Sequence, residues 1–119
     1  MPNNTEKGIL GEEIALSHLK AKGYEILCQN WRFKHLELDI VASFNNFLVI
    51  VEVKMRANDE FGRPEEFVSK AKQKKLIKAA HYYIQENNVD LETRFDVIAI
   101  LEYPKLTIEH FEGAFYPTL

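Results

Sequence analysis

The sequence has little of what staples, hinges or anchors a chain. Cys28 is the only cysteine in 119 residues, which excludes an internal disulfide and a cysteine-based zinc site. Following Ile26 and Leu27, it reads as a small core residue rather than a nucleophile. With five glycines and four prolines there is no linker, repeat or low-complexity stretch. The chain therefore reads as one domain, 1–119, able to bury roughly two thirds of its unfolded surface. No apolar run approaches the roughly 20 residues that span a bilayer, and Met1-Pro2-Asn3-Asn4-Thr5 lacks a secretory apolar core. No membrane association and a cytoplasmic location are expected. His18, His35, His81 and His110 are scattered with no i, i+4 pair, which argues against a histidine metal site or a histidine triad.

A large charge of one sign is also missing. The net charge is −3, but residues 86–112 carry seven acids against Arg94 and Lys105, a local net of −5, so the remainder is +2. Overall acidity thus does not exclude a nucleic-acid partner. The composition, 46% hydrophobic and 28% charged, is that of a globular protein rather than a disordered one.

What is present centres on Leu48-Val49-Ile50-Val51-Glu52-Val53-Lys54, apolar enough on both faces to be a central strand. Glu52 and Lys54 share one face, about 6.6 Å apart at the backbone. Burying an ion costs several kcal/mol, so these charges either lie where the strand meets solvent or form part of a site. Around this strand the pattern predicts a helix from Thr5 to Lys22, capped by Asn3, Asn4 or Thr5 and stopped at Gly23. Its apolar arc holds Ile9, Ala15, Leu16 and Leu19, with Glu12 inside it. Strands are predicted over Tyr24–Phe33, Glu37–Ala42, Arg94–Leu101 and Leu106–Phe111. Alternation in the second puts Glu37, Asp39 and Val41 on one side and Leu38 and Ile40 on the other. Ser43-Phe44-Asn45-Asn46 predicts a tight turn into the central strand. Met55–Glu66 reads as a loop beside the site that closes over a ligand, and Ser69 caps a second helix running to Glu86. Lys70, Lys74 and Lys78 line its outer face, a solvated stripe or a phosphate contact. Lys72 and Gln73 project from its first turn towards the sheet. Trp31, Phe33, Tyr82 and Tyr83 have spacings more common in a core than in a base-stacking surface.

Glu12, Asp39 and Glu52 are thus expected to converge beside Lys54. Two carboxylates about 4 Å apart repel by roughly 4 kcal/mol at an effective dielectric of 20, so protons or a cation must neutralise the cluster. Oxygen ligands favour Mg²⁺ or Mn²⁺ over Zn²⁺. A carboxylate-held ion beside Lys54, with Lys72 or Gln73 on the scissile phosphate, suits phosphodiester hydrolysis.

The order Glu12, Asp39, Glu52-Val53-Lys54, Lys72/Gln73 resembles the PD-(D/E)XK nuclease superfamily. More closely, Gly11-Glu12, Gly23-Tyr24-Glu25-Ile26-Leu27, Asn30-Trp31-Arg32, Glu37-Leu38-Asp39-Ile40-Val41-Ala42, Val51-Glu52-Val53-Lys54-Met55-Arg56, Lys72 and Arg94-Phe95-Asp96-Val97 resemble the YraN family, small bacterial proteins distantly similar to archaeal Holliday junction resolvases. Leu36 departs from that family, which commonly has glycine there. The resemblance implies an α/β fold with a restriction-endonuclease-like αβββαβ core, a mixed central sheet flanked by helices. It also implies a metal-dependent nuclease site at the positions named, with Asp39, Glu52 and Glu12 as the metal ligands. The function expected is a Mg²⁺-dependent endonuclease acting on DNA, branched or distorted; a homodimer is expected by analogy alone. Two alternatives are a non-catalytic nuclease-like nucleic-acid-binding module, and a protein-interaction scaffold using the exposed edge strand.

Overall fold

The computed structural model describes residues 4–57 and 68–117. Its elements run α1 Asn4–Ala21, β1 Glu25–Phe33, β2 Leu36–Phe44, β3 Phe47–Arg56, α2 Lys70–Asn87, β4 Glu92–Leu101 and β5 Thr107–Phe115. The five strands form one mixed sheet in the order β1-β2-β3-β4-β5. β1, β2 and β3 are an antiparallel meander, β4 lies parallel to β3 after the α2 crossover, and β5 returns antiparallel at the edge. This is the α/β arrangement expected for an αβββαβ core, with β5 running on to Phe115 rather than ending at Phe111. The loop expected over Met55–Glu66 is strand as far as Arg56; the rest of it, from 58, falls outside the described residues. Of the caps expected for α1, Asn4 and Thr5 are already helical, and Asn3 lies outside the described residues. No helix among the described residues is long and apolar enough to cross a membrane.

Local chemistry fixes the boundaries. Gly23 at φ +91° ends α1 with a left-handed residue. Asn45 and Asn46, at φ +48° and +67°, make the two-residue hairpin between β2 and β3 that matches the twist of its strands. The Ser69 hydroxyl accepts from Lys72 N–H at 3.1 Å, the N-cap of α2.

The sheet buries both faces. On one, Leu76, Ala79, Ala80 and Tyr83 of α2 cover Leu48, Ile50, Phe95 and Val97. On the other, Ala15 and Leu19 of α1 cover Val49, Val51, Ile98 and Ile100. Leu36, the departure from the family pattern, is buried at the start of β2 and packs under α2. Trp31 stacks on Phe33 and meets Tyr83 edge-on, so these aromatics pack against α2.

Two expectations fail. Ile9 is 56% exposed rather than in the apolar face of α1. The helix contacts the sheet through Gly11, Ala15 and Leu19; a Cβ at Gly11 would lie 3.2 Å from Met55 Cβ, so this close approach needs glycine. The turn before it, carrying Ile9, is left in solvent. Secondly, the alternation of β2 breaks at Asp39. Leu38 and Val41 both pack under α2, whereas Ile40 and Ala42 pack under α1. The partner strand breaks at the same level: Cys28 and Trp31 lie on one face, although three residues apart. The residue between them that explains this is Asn30, at φ +51°, which interrupts the two-residue period of β1. Pairs Gln29↔Ile40 and Trp31↔Leu38 set Asn30 opposite Asp39.

Candidate active site

The ladder between β2 and β3 ends at Ile40↔Val51. One step on, where Asp39 and Glu52 would face each other, the Val53 N–H donates to Asp39 Oδ2 at 3.0 Å instead of to a strand carbonyl. The two central strands therefore splay at the level of their carboxylates.

Glu52 shares its face with Leu48 and Ile50, which pack under α2, and is only 3% exposed. Lys54 Nζ lies 3.5 Å from its Oε2, and Lys72 Nζ, from the first turn of α2, lies 3.6 Å from the same oxygen. Both contacts are longer than the roughly 2.7–2.9 Å of a charge-assisted hydrogen bond. Burial, then the hydrogen bond and charge of Asp39, push the Glu52 carboxyl up to about 8 against the opposing pull of Lys72 and Lys54. The Glu52 carboxyl therefore holds its proton more tightly than an exposed glutamate does, with Asp39 beside it.

Glu12 reaches the same aspartate from the α1 side. Its carboxyl is raised by burial first, then by the charge of Asp39, while a hydrogen bond from the Asn30 side chain works the other way. Its Oε1 is buried without a hydrogen-bond partner. Glu12, Asn30, Arg32 and Asp39 line an open cleft of about 430 Å³ whose floor includes Gly11 and Val53.

The predicted residues are thus brought together in part. Asp39, Glu52, Lys54 and Lys72 meet. Glu12 meets Asp39 but approaches from the other side of the sheet, so the three acids form a row with Asp39 in the middle. Among the described residues no three His, Cys, Asp or Glu side chains are grouped to hold a metal ion. Gln73 is directed elsewhere: its Nε2 donates to the Val68 carbonyl at 3.1 Å, closing the start of α2. Asp96 lies apart, buried with Arg94 and His110.

Asn30 was not among the expected site residues. Its signal was present: asparagine is a poor strand former, and it tolerates a left-handed backbone. Asn30→Ala is expected to be about 1 kcal/mol less stable than Asn30→Gly, because only glycine takes φ +51° without Cβ strain. Urea unfolding of the two variants decides this; equal midpoints would remove the strained-backbone account.

Fold and site together define a small α/β protein with a buried carboxylate–lysine centre where two central strands part. The chain belongs to Uncharacterised protein family UPF0102, also known as YraN, whose sequence profile matches residues 11–100. It is 47% identical to a UPF0102 protein of Flavobacterium psychrophilum over 98% of both chains. A UPF0102 protein of Bacteroides thetaiotaomicron is 44% identical over all of this chain and 99% of its own. One from Thermodesulfovibrio yellowstonii is 48% identical over 93% of this chain and 96% of its own.

Proposed function

We propose that this protein is a metal-dependent endonuclease of the PD-(D/E)XK type, hydrolysing phosphodiester bonds of DNA that is branched or otherwise distorted. The observation that carries this reading is Glu52: a buried carboxyl against Asp39, with the ammonium groups of Lys54 and Lys72 on its oxygen. A carboxyl held that way is under-used as a structural element, because its lysines are too distant for good hydrogen bonds and it can ionise only against the charge of Asp39. A divalent cation would relieve both. The donor set fits Mg²⁺ or Mn²⁺: it is all oxygen, and Mg²⁺ is commonly held by one or two carboxylates with water and substrate phosphate completing the shell. Asp39 and Glu52 would hold the ion, and the unpartnered Oε1 of Glu12 adds a further acceptor beside Asp39.

When bound, such an ion supplies charge neutralisation at the phosphate and a more acidic water. The remaining work falls to this chain. The Val53 N–H fixes one Asp39 oxygen. Lys54, released from Glu52, orients the attacking water or faces charge developing on the phosphate, and Lys72 steadies a non-bridging phosphate oxygen. Gln73 spends its Nε2 on the Val68 carbonyl, so the reading rests on Lys72 rather than on Gln73.

The test is a cleavage panel of single-stranded, duplex, flap and four-way-junction DNA with Mg²⁺ or Mn²⁺. Cleavage should need the ion and fall by at least about 10²-fold in Glu52→Ala and in Lys54→Ala. A second reading, a non-catalytic nucleic-acid-binding module, is favoured by the missing third ligand among the described residues. It requires binding that survives both substitutions and no cleavage with either ion.

A further inference from the structure

A second cluster of ionisable side chains lies where the end of α1 meets β4 and β5, and the carboxylate–lysine centre does not use it. Its anchor is Asp96, whose side chain is fully buried. Arg94 donates to both its oxygens, from Nε at 2.9 Å and from Nη2 at 2.8 Å, and the Gly113 N–H adds a bond at 3.0 Å. The fourth bond is from His110 Nε2 at 2.8 Å. A carboxylate held by Arg94 only accepts, so His110 carries a hydrogen on Nε2; the Lys22 ammonium only donates, so Nδ1 offers it a lone pair. Two groups meet that lone pair: His18 Nε2 and Lys22 Nζ, each at 3.2 Å.

We propose that His18 and His110 form a binding site for a borderline transition-metal ion, Zn²⁺ or Ni²⁺, held by His18 Nε2 and His110 Nδ1 with water in its other positions. Three features support this. Two nitrogens bound to one tetrahedral Zn²⁺ at about 2.0–2.1 Å are separated by about 3.3–3.4 Å, and these two already lie 3.2 Å apart. Asp96 behind His110 is the carboxylate–histidine pairing that sets the tautomer and raises the basicity of a metal-bound imidazole. Imidazole ligands select Zn²⁺, Ni²⁺ or Cu²⁺ over Mg²⁺, so this site differs in kind from the oxygen-lined one. In the metal-free protein the Lys22 ammonium holds the Nδ1 lone pair; metal entry displaces it, and its exposed side chain can swing away. Ser17 and Glu13 line the same shallow groove as His18.

The experiment is calorimetric titration of the full, tag-free chain with NiCl₂ and ZnCl₂, with the visible spectrum of the Co²⁺ form as a second readout. One ion per chain should bind in the native protein and in Glu52→Gln, which separates this site from the proposed nuclease centre. His18→Ala should weaken binding by at least about tenfold. Lys22→Met should tighten it, because a competing cation is gone. His18 is only half-buried, so that variant tests the site even if His110→Ala, which unbraces Asp96, fails to fold. Absence of binding, unchanged affinity in His18→Ala, or loss of binding in Glu52→Gln alone would overturn the proposal.

Discussion

Replacing Asp96 with alanine is expected to lower stability by about 3–5 kcal/mol, the largest single-site loss anticipated in the chain. The side chain of Asp96 is completely buried and that of Arg94 is 12% exposed, so the substitution leaves an interior guanidinium without its counter-charge. Arg94 keeps only partial compensation. Its Nη2 donates to the Tyr24 hydroxyl at 2.6 Å and lies 3.4 Å from Glu112, whose side chain is half exposed and therefore weakly effective. Gly113 and His110 lose their acceptor as well, which loosens β5 from β4. Against a total of about 5–15 kcal/mol for an ordinary domain, this is a large share. The cause is a stranded charge rather than a lost contact, so adding Arg94→Met to Asp96→Ala should restore part of the loss. Urea denaturation of the single and double variants checks both statements. A loss below about 1 kcal/mol in Asp96→Ala would mean that Arg94 is solvated. Acid titration gives the same assignment a second handle. Burial alone would raise the Asp96 carboxyl, but the bonds from His110, Arg94 and Gly113 outweigh it and hold the group below its ordinary value of 3.8. A depressed carboxyl contributes stability that is full above 3.8 and lost as the pH falls below it.

What could be read in the sequence was what is encoded locally. The Val- and Ile-rich run of β3, the Asn45-Asn46 turn, the Ser69 cap and the Gly23 stop each act within a few residues, and each appears in the fold. The meeting of Glu52, Lys54 and Lys72 was also legible. A spacing of two sets the first pair, and a parallel crossover returns the start of α2 over the end of the strand it follows. The row formed by Glu12, Asp39 and Glu52 was not. Strict alternation assigns Asp39 to one face, whereas a left-handed Asn30 on the neighbouring strand reverses the pattern there and lets Asp39 serve both sides of the sheet. Helical periodicity likewise placed Ile9 in the core, because periodicity says which residues share a face and not where along the helix the sheet ends. His18 and His110 are 92 residues apart, and it takes both the pairing of β5 with β4 and the packing of α1 on that face to bring them into contact. Scattered positions in sequence therefore carried no information about that pair.

Glu52→Gln is expected to change the pH dependence of stability more than any other substitution. The Glu52 carboxyl is raised from 4.5 to about 8 by burial first and by Asp39 second, with Lys72 and Lys54 opposing. A group that binds its proton more tightly when folded contributes stability that is complete below 4.5 and is lost as the pH rises through about 8. Across that window the native chain should lose roughly 1.4 kcal/mol per pH unit relative to the variant, whose neutral amide does not titrate. Near pH 4 the two proteins should differ little. Near pH 9 the glutamine variant should be the more stable by several kcal/mol, because the native chain then holds a buried Glu52 carboxylate beside half-buried Asp39, with lysines 3.5 and 3.6 Å from Glu52. Denaturation midpoints at a series of pH values measure this directly, and parallel curves would show that the lysines already neutralise the site. Repeating the series in Mg²⁺ joins stability to function. A cation held by ionised Asp39 and Glu52 supplies the missing counter-charge, so it should flatten the alkaline loss in the native chain and leave Glu52→Gln unmoved. A metal-independent slope would instead mean that the carboxyl pair is neutralised by a proton alone, and phosphodiester hydrolysis at this centre would lose its physical basis.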